Sequence, residues 1–411
     1  MRHWPATRVY YLRQAVASFN SGLIFTSIWT FYYETLRLNL AQIALIFIVI
    51  TVTGLLLEVP TGVIADSYSR RLSVIVGGIF IGLCYTGAGL FPIYAVILLG
   101  ALLEAIGDTC VSGALDAWIA DEVGAEHVGP VFARSIQVAT PSHWVGVLLS
   151  IALAARFDYQ MPIAIGGISW LLLTVVLIAV MPETFVSPAG AARRPIGAQL
   201  GAGWRTFREG LTLIRTRRAV LRLMVAGLFS AALLDSFYRF SRLQLLTSFA
   251  LPVVTLPLVG TLKNNLWFGL FEVAQGALTF VGLGVLRRAA IFERPRALAG
   301  ALVALHSLML IGVLAFAGSA QLAIAIGAWL AVTVFGDLAR PLVATWLNQS
   351  IDSSSRATVL SIHSQVSMLG MLTLSSALSV VGDGYGVRPA LALASVLLLP
   401  VVWLYARRSE N

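Results

Sequence analysis

Apolar stretches of about 20 residues recur from one end of the chain to the other, and this repetition constrains the fold more than any motif does. Each is long enough to cross a hydrocarbon core of about 30 Å as a helix. Lipid satisfies no backbone N–H or C=O, so a crossing must be a helix or part of a closed barrel. The runs are continuous rather than alternating, which selects helices. Of the 411 residues 58% are hydrophobic and 11% charged, where soluble domains hold about 45–50% and about a quarter. A water-soluble surface cannot be built from that. The expected fold class is an all-α polytopic membrane protein, with twelve spans at 9–34, 40–65, 72–92, 94–120, 131–155, 160–181, 219–245, 264–286, 297–317, 320–347, 357–381 and 388–406. Residues 246–263 are apolar, but two prolines flanked by Arg242 and Lys263 favour an external loop.

The net charge of +9 resides in short polar connections between apolar runs, a topology signal and not a nucleic-acid footprint. Under this assignment the side holding both termini carries 21 of the 28 Lys and Arg residues. That bias places both termini in the cytoplasm. The abundance of Ala, Gly and Arg suits a bacterial genome, so a multi-pass protein of the bacterial cytoplasmic (inner) membrane is expected. The start, Met1 to Val16, is basic without a cleavage site and is read as a retained cytoplasmic end leading into the first span. Cys84 and Cys110 lie inside apolar runs without metal-ligand spacing, so neither a metal nor a disulfide framework is expected. No glycine-rich phosphate cradle, nucleophile-and-base Ser-His arrangement or His-Glu-x-x-His stretch is apparent, so no cofactor and no enzyme chemistry is expected.

The longest connection, 183–218, holds seven arginines and divides the chain into six-span halves at 1–182 and 219–411. Within it Trp204, Phe207, Leu211 and Ile214 recur at helical spacing, which suits either a helix on the anionic inner leaflet or a plain tether. The halves repeat each other: GDTCVSGALDAWIADE in the fourth span matches GDLARPLVATWLNQSI in the tenth, and ARSIQ in the fifth matches VLSIH in the eleventh. Duplicated halves put a solute site at their interface near the bilayer midplane.

Between the second and third spans the chain reads Gly62-Val-Ile-Ala-Asp66-Ser-Tyr-Ser-Arg70-Arg71, preceded by Glu58-Val-Pro60-Thr. This resembles the cytoplasmic loop motif of the major facilitator superfamily, and the duplicated halves and basic middle loop extend the resemblance over the whole chain. The resemblance implies twelve transmembrane helices in two pseudo-symmetric six-helix bundles, alternating access and a monomer. In physical terms, Gly62 lets the second and eleventh spans approach, Asp66 suits a helix N-terminus, and Arg70 and Arg71 can pair with Asp121 and Glu122. Glu58 is assigned to the same cluster, with the transport path as the alternative. The family's second loop glycine is Ser69 here, a change expected to loosen the turn. The fifth span reads Ala139-Thr-Pro-Ser-His-Trp-Val-Gly146 and lacks the glycine-rich signature of the drug-antiporter branch. EVPTG, SGALDAW and RATVLS resemble a bacterial group assumed to export drugs or metabolites.

Ionisable residues inside spans are costly and therefore functional candidates. Glu104, Asp108 and Asp116, four and eight apart in the fourth span, fall on nearly one face with no arginine in that span to neutralise them. They imply a water-filled cavity and suit proton coupling or binding of a substrate charge; packing is the alternative. Asp235 with Arg239, and Asp337 with Arg340, can each close a bridge along one helix, as structure, as gate or as cavity-lining contact to the substrate, and Asp235 is a further candidate for proton coupling or substrate charge. Glu272 has no charged neighbour at helical spacing and is a second proton-carrier candidate. In this fold the first, fourth, seventh and tenth spans line the cavity, so Asn20, Phe25, Trp118, Phe237, Tyr238 and Trp346 are candidate walls, with packing as the alternative; His143 is the histidine singled out. The expected function is secondary active transport of a small organic solute coupled to a proton, an exporter in the first reading. Alternatives are a proton-coupled or facilitative importer of a polar or charged nutrient, and a non-transporting membrane sensor.

Overall fold

The computed structural model describes residues 4–124, 127–183, 217–256, 260–350 and 356–407. The helices are α1 (Ala6–Thr30), α2 (Leu40–Ser67), α3 (Arg70–Leu90), α4 (Tyr94–Val123), α5 (Val128–Arg156), α6 (Gln160–Val180), α7 (Arg218–Ser248), α8 (Asn265–Arg288), α9 (Pro295–Gly318) and α10 (Leu322–Gln349). The eleventh element is α11a (Arg356–Gly370) and α11b (Ser376–Tyr385), joined by the π-helical turn Met371–Ser375; the twelfth is α12a (Val387–Ser395) and α12b (Leu398–Ala406). Eleven described helices are long and apolar enough to cross a membrane. The expected twelfth is α1, whose 25 residues reach about 37 Å at 1.5 Å per residue. Arg8, Arg13, Gln14 and Asn20 lower its apolar character. The middle connection lies almost wholly outside the described residues, and with it the expected surface helix. The loop after α7 carries a small antiparallel hairpin, β1 (Val254–Leu256) with β2 (Gly260–Leu262), in which Thr255 faces Thr261.

The chain divides into two compact units: Met1–Leu38, Leu45–Gly203 and Pro252–Gly269 in one, Asn39–Ala44, Trp204–Leu251 and Leu270–Asn411 in the other. In the N-terminal unit α1 packs on α5 and α6, and α3 on α4 and α6. The hairpin segment joins this unit through polar bonds: Lys263 pairs with Asp158 at 2.7 Å, Asn264 donates to Glu34 at 2.7 Å, and Asn265 donates to Ser27 Oγ at 3.1 Å. In the C-terminal unit α7 packs on α11a, and α9 on α10 and α12b. There Asp383 accepts hydrogen bonds from the N–H groups of Leu40 and Ala41 at 2.8 and 2.7 Å, placing a carboxylate at the positive end of α2.

Without water to squeeze out, helices in lipid associate through close backbone approach at small residues. A Cβ at Gly146 would lie 2.1 Å from the Phe19 carbonyl, and one at Gly22 2.1 Å from the His143 carbonyl, so α1 and α5 meet backbone to backbone. In the other unit a Cβ at Gly370 would lie 2.1 Å from the Leu228 carbonyl, the same contact made by α11a on α7. The duplication read from motifs is thus repeated in packing. It is this seam that fixes where α1 presents its polar face.

Candidate functional site

On α1, residues Arg13, Ala17, Ser21, Ile24 and Phe25 follow helical spacing and line one cavity of about 150 Å3 in the N-terminal unit. Opposite them α4 supplies Glu104 and Asp108, α3 supplies Tyr85 and α6 supplies Trp170. Asp108 sits midway along α4 and is exposed, whereas Glu104, one turn earlier, is half-buried. The Tyr85 hydroxyl donates to Glu104. Glu104 and Tyr85 also line a second, smaller cavity with Tyr32 and Cys84. Its volume of about 10 Å3 is the least in which a single water fits.

A cation that the spacing along the fourth span could not reveal shares the cavity with Glu104 and Asp108. Arg13, read from sequence as part of the basic cytoplasmic end, lies far enough into α1 to face the same cavity as Asp108. Its guanidinium sits 5.4 Å from the centre of the Trp170 ring, a cation–π contact. Its Nη1 donates to Gln14 Oε1 at 2.9 Å, Gln14 Nε2 donates to the Tyr10 hydroxyl at 3.0 Å, and that hydroxyl donates to Asp116 at 3.2 Å. Asp116 thus belongs to the network behind Arg13 and does not line this cavity. Sequence reasoning missed Arg13, Gln14, Tyr10, Tyr85 and Trp170. The available signal was Arg13 itself, eight residues into a helix that begins at Ala6.

The loop motif forms a cluster whose described bonds all lie within the N-terminal unit. Arg70 pairs with Asp121 and donates to the Ala117 carbonyl at 3.0 Å, as expected of its acid partner. Arg71 instead donates to the Ile178 carbonyl at 2.6 Å, at the end of α6, and its backbone N–H points to Glu183 at 3.4 Å. Glu122 is half-buried nearby in sequence. Ser69 does not loosen the turn: its hydroxyl caps α3 by accepting from the Leu72 N–H at 2.9 Å and donates to Glu183 at 2.6 Å. Among the described residues a Cβ at Gly62 would meet nothing within 4 Å. The Asp66 side chain lies outside the described residues. Glu58 is half-buried, and its carbonyl accepts from Thr61 at 3.3 Å.

In the C-terminal unit both bridges predicted along single helices are present. Asp235 pairs with Arg239, which is 1% exposed, and Ser375 of the π-helical turn bonds both. Asp337 pairs with Arg340 at 3.5 Å and accepts from Gln275 at 2.7 Å, while Gln275 also donates to Tyr238 at 3.2 Å. Glu272 differs from expectation: Arg242 of α7 pairs with it at 3.0 Å. Helical spacing along α8 could not reveal a partner supplied by another helix.

Of the candidate walls, Phe25 lines the larger cavity and packs edge-on against Tyr85 at 6.3 Å. Trp118 does not; it is 2% exposed and its indole N–H donates to the Pro182 carbonyl at 2.8 Å. Trp346 is buried against Tyr405, and Phe237 against Phe316. Asn20 is fully buried and lies off the cavity, and among the described residues neither of its amide atoms has a hydrogen-bond partner. His143 is half-buried on α5 and contributes its carbonyl to the α1 seam. Among the described residues no group of His, Cys, Asp and Glu could hold a metal ion.

Comparison with known proteins agrees with this architecture. The chain is 23% identical over 401 residues to the MFS-type transporter YxaM of Bacillus subtilis (strain 168), covering 97% of this chain and 94% of that one. Its fold is similar to that of the nucleoside transporter NupG (D323A mutant), at a TM-score of 0.72 and 12% identity over 97% of this chain and 99% of that one. It is also similar to a bacterial homolog of the human lysosomal transporter Spinster, in an inward-facing and occupied conformation, at 0.73 and 14% over 98% and 96%. At these identities the structures speak for the fold alone. The family model described as Major Facilitator Superfamily matches residues 11–373, and the chain belongs to that superfamily.

Proposed function

We propose that the chain is a secondary active transporter that moves a small organic solute across the bacterial cytoplasmic membrane by alternating access, coupled to a proton. Both termini are cytoplasmic in this reading, the protein works as a monomer, and export of a drug or metabolite is the direction we assign, as in the bacterial group that EVPTG resembles. The observation that carries the reading is the division of α4: Asp108 opens onto the larger cavity, while Glu104 forms the wall shared by both cavities under the Tyr85 hydroxyl. Asp108 meets a cationic group of the solute, and Glu104 takes the proton. Intramembrane carboxylates left without such partners would be costly. Asp116 holds Arg13 in place through Tyr10 and Gln14, and the Arg70 cluster braces the cytoplasmic ends of α3, α4 and α6. Asp235 and Glu272 serve as ion-pair partners in the C-terminal unit and not as proton carriers.

The test is proton movement in sealed proteoliposomes loaded with a pH-sensitive dye, screening cationic and zwitterionic solutes on wild type, Asp108→Asn and Glu104→Gln. Solute-dependent proton flux that disappears in both variants, with solute exchange retained in Glu104→Gln, is the expected result. Flux unchanged in both variants refutes the assignment. Solute movement without proton movement in the wild type refutes coupling.

A further inference from the structure

We propose that the cavity of the N-terminal unit takes a small zwitterion of amino-acid size, with its ammonium on Asp108 and its carboxylate on Arg13. This rests on the reading of that cavity as the transport site. Arg13 and Asp108 line the same space, yet among the described residues no N–O pair within 4.0 Å joins them. Arg13 is held from behind by Gln14 and by the face of Trp170. Its position therefore does not depend on contact with Asp108. A guanidinium has five N–H donors, and among the described residues its hydrogen bond goes to Gln14; the remaining edge can take a carboxylate in two-pronged fashion.

Charge balance then selects the ligand. A simple cation would compensate Asp108 and leave Arg13 facing it bare, and a simple anion would do the reverse; both are costly within a span. A zwitterion compensates both at once and adds no net charge to the site. Glu104 keeps Tyr85 as its partner and stays available for the proton. Size agrees: the cavity, of about 150 Å3, lies below the roughly 300–1,000 Å3 of drug-sized sites. Phe25, Tyr85 and Trp170 leave apolar wall for a side chain.

The experiment is equilibrium binding to the purified full-length protein in detergent. The probes are the natural α-amino acids, each with its amide, which keeps only the ammonium, and its N-acetyl derivative, which keeps only the carboxylate. At least one amino acid should bind, with both derivatives weaker by tenfold or more. In Arg13→Gln the amide should bind as well as its parent, and in Asp108→Asn the N-acetyl derivative should. Arg13→Lys, which keeps the charge, should retain the preference and shows that the helix still folds. Amides or N-acetyl derivatives equal to their parents on wild type overturn the proposal, as does the failure of every amino acid to bind. Zwitterion binding without proton flux in proteoliposomes would refute the coupled-carrier reading and leave the ligand class standing. Proton flux driven only by singly charged solutes would do the opposite.

Discussion

Replacing Gly22 by alanine should loosen the whole N-terminal unit, because the new methyl has nowhere to go. Its carbon would sit 2.1 Å from the His143 carbonyl oxygen and 2.9 Å from the Val147 nitrogen, where ordinary contact begins at 3.4 Å. Both neighbours are backbone, so relief requires α1 and α5 to part by on the order of 1 Å. Overpacking of this kind costs about 1–3 kcal/mol, offset by the roughly 0.5–1 kcal/mol that alanine gains over glycine within a helix. Gly113→Ala on α4 is the control, since a Cβ there meets nothing within 4 Å, and it should show only the gain. The two variants should differ by about 1–3 kcal/mol, roughly a 5- to 150-fold difference in unfolding constant. Unfolding in mixed micelles with increasing SDS, followed by circular dichroism, measures this. Equal midpoints for the two variants would refute the packing argument. Because α1 also carries Arg13 and Phe25 into the cavity, solute affinity should fall with stability in Gly22→Ala and remain unchanged in Gly113→Ala. Adding Gly146→Ala should cost less than its separate effect, as both methyls strain one seam.

Ser69→Gly, which restores the family residue, should destabilise by about 1 kcal/mol: the cap itself is worth a few tenths against glycine and the bond to Glu183 about 0.5–1.5 kcal/mol. A stabilised variant in the same SDS titration would contradict the capping role. Glu272→Gln should lower stability by about 3–5 kcal/mol by leaving the buried charge of Arg242 without its carboxylate, and the double variant Arg242→Met/Glu272→Met should recover much of it. A single variant with wild-type stability and no proton flux would instead return Glu272 to the proton path. Trp118→Phe should cost about 1 kcal/mol through the lost bond to Pro182 and leave the solute binding constant unchanged, so a tenfold weaker affinity would place Trp118 in the site.

What the sequence determined by itself is what local periodicity encodes. Span length and apolar continuity set the helices, since lipid permits little else. Spacing of four and three along one helix foretold the Asp235–Arg239 and Asp337–Arg340 bridges, because residues so spaced are neighbours whatever surrounds the helix. The motif named Arg70 and Asp121 correctly, as the loop itself delivers Arg70 to the end of α4. The partners chosen across helices were invisible: Arg13 for the Asp108 cavity, Arg242 for Glu272, Glu183 for Ser69 and Pro182 for Trp118. Each depends on which helix faces which and at what rotation. That is settled by the glycine seams and side-chain interlock of packed helices, and a one-dimensional pattern carries the small residues without saying what they meet.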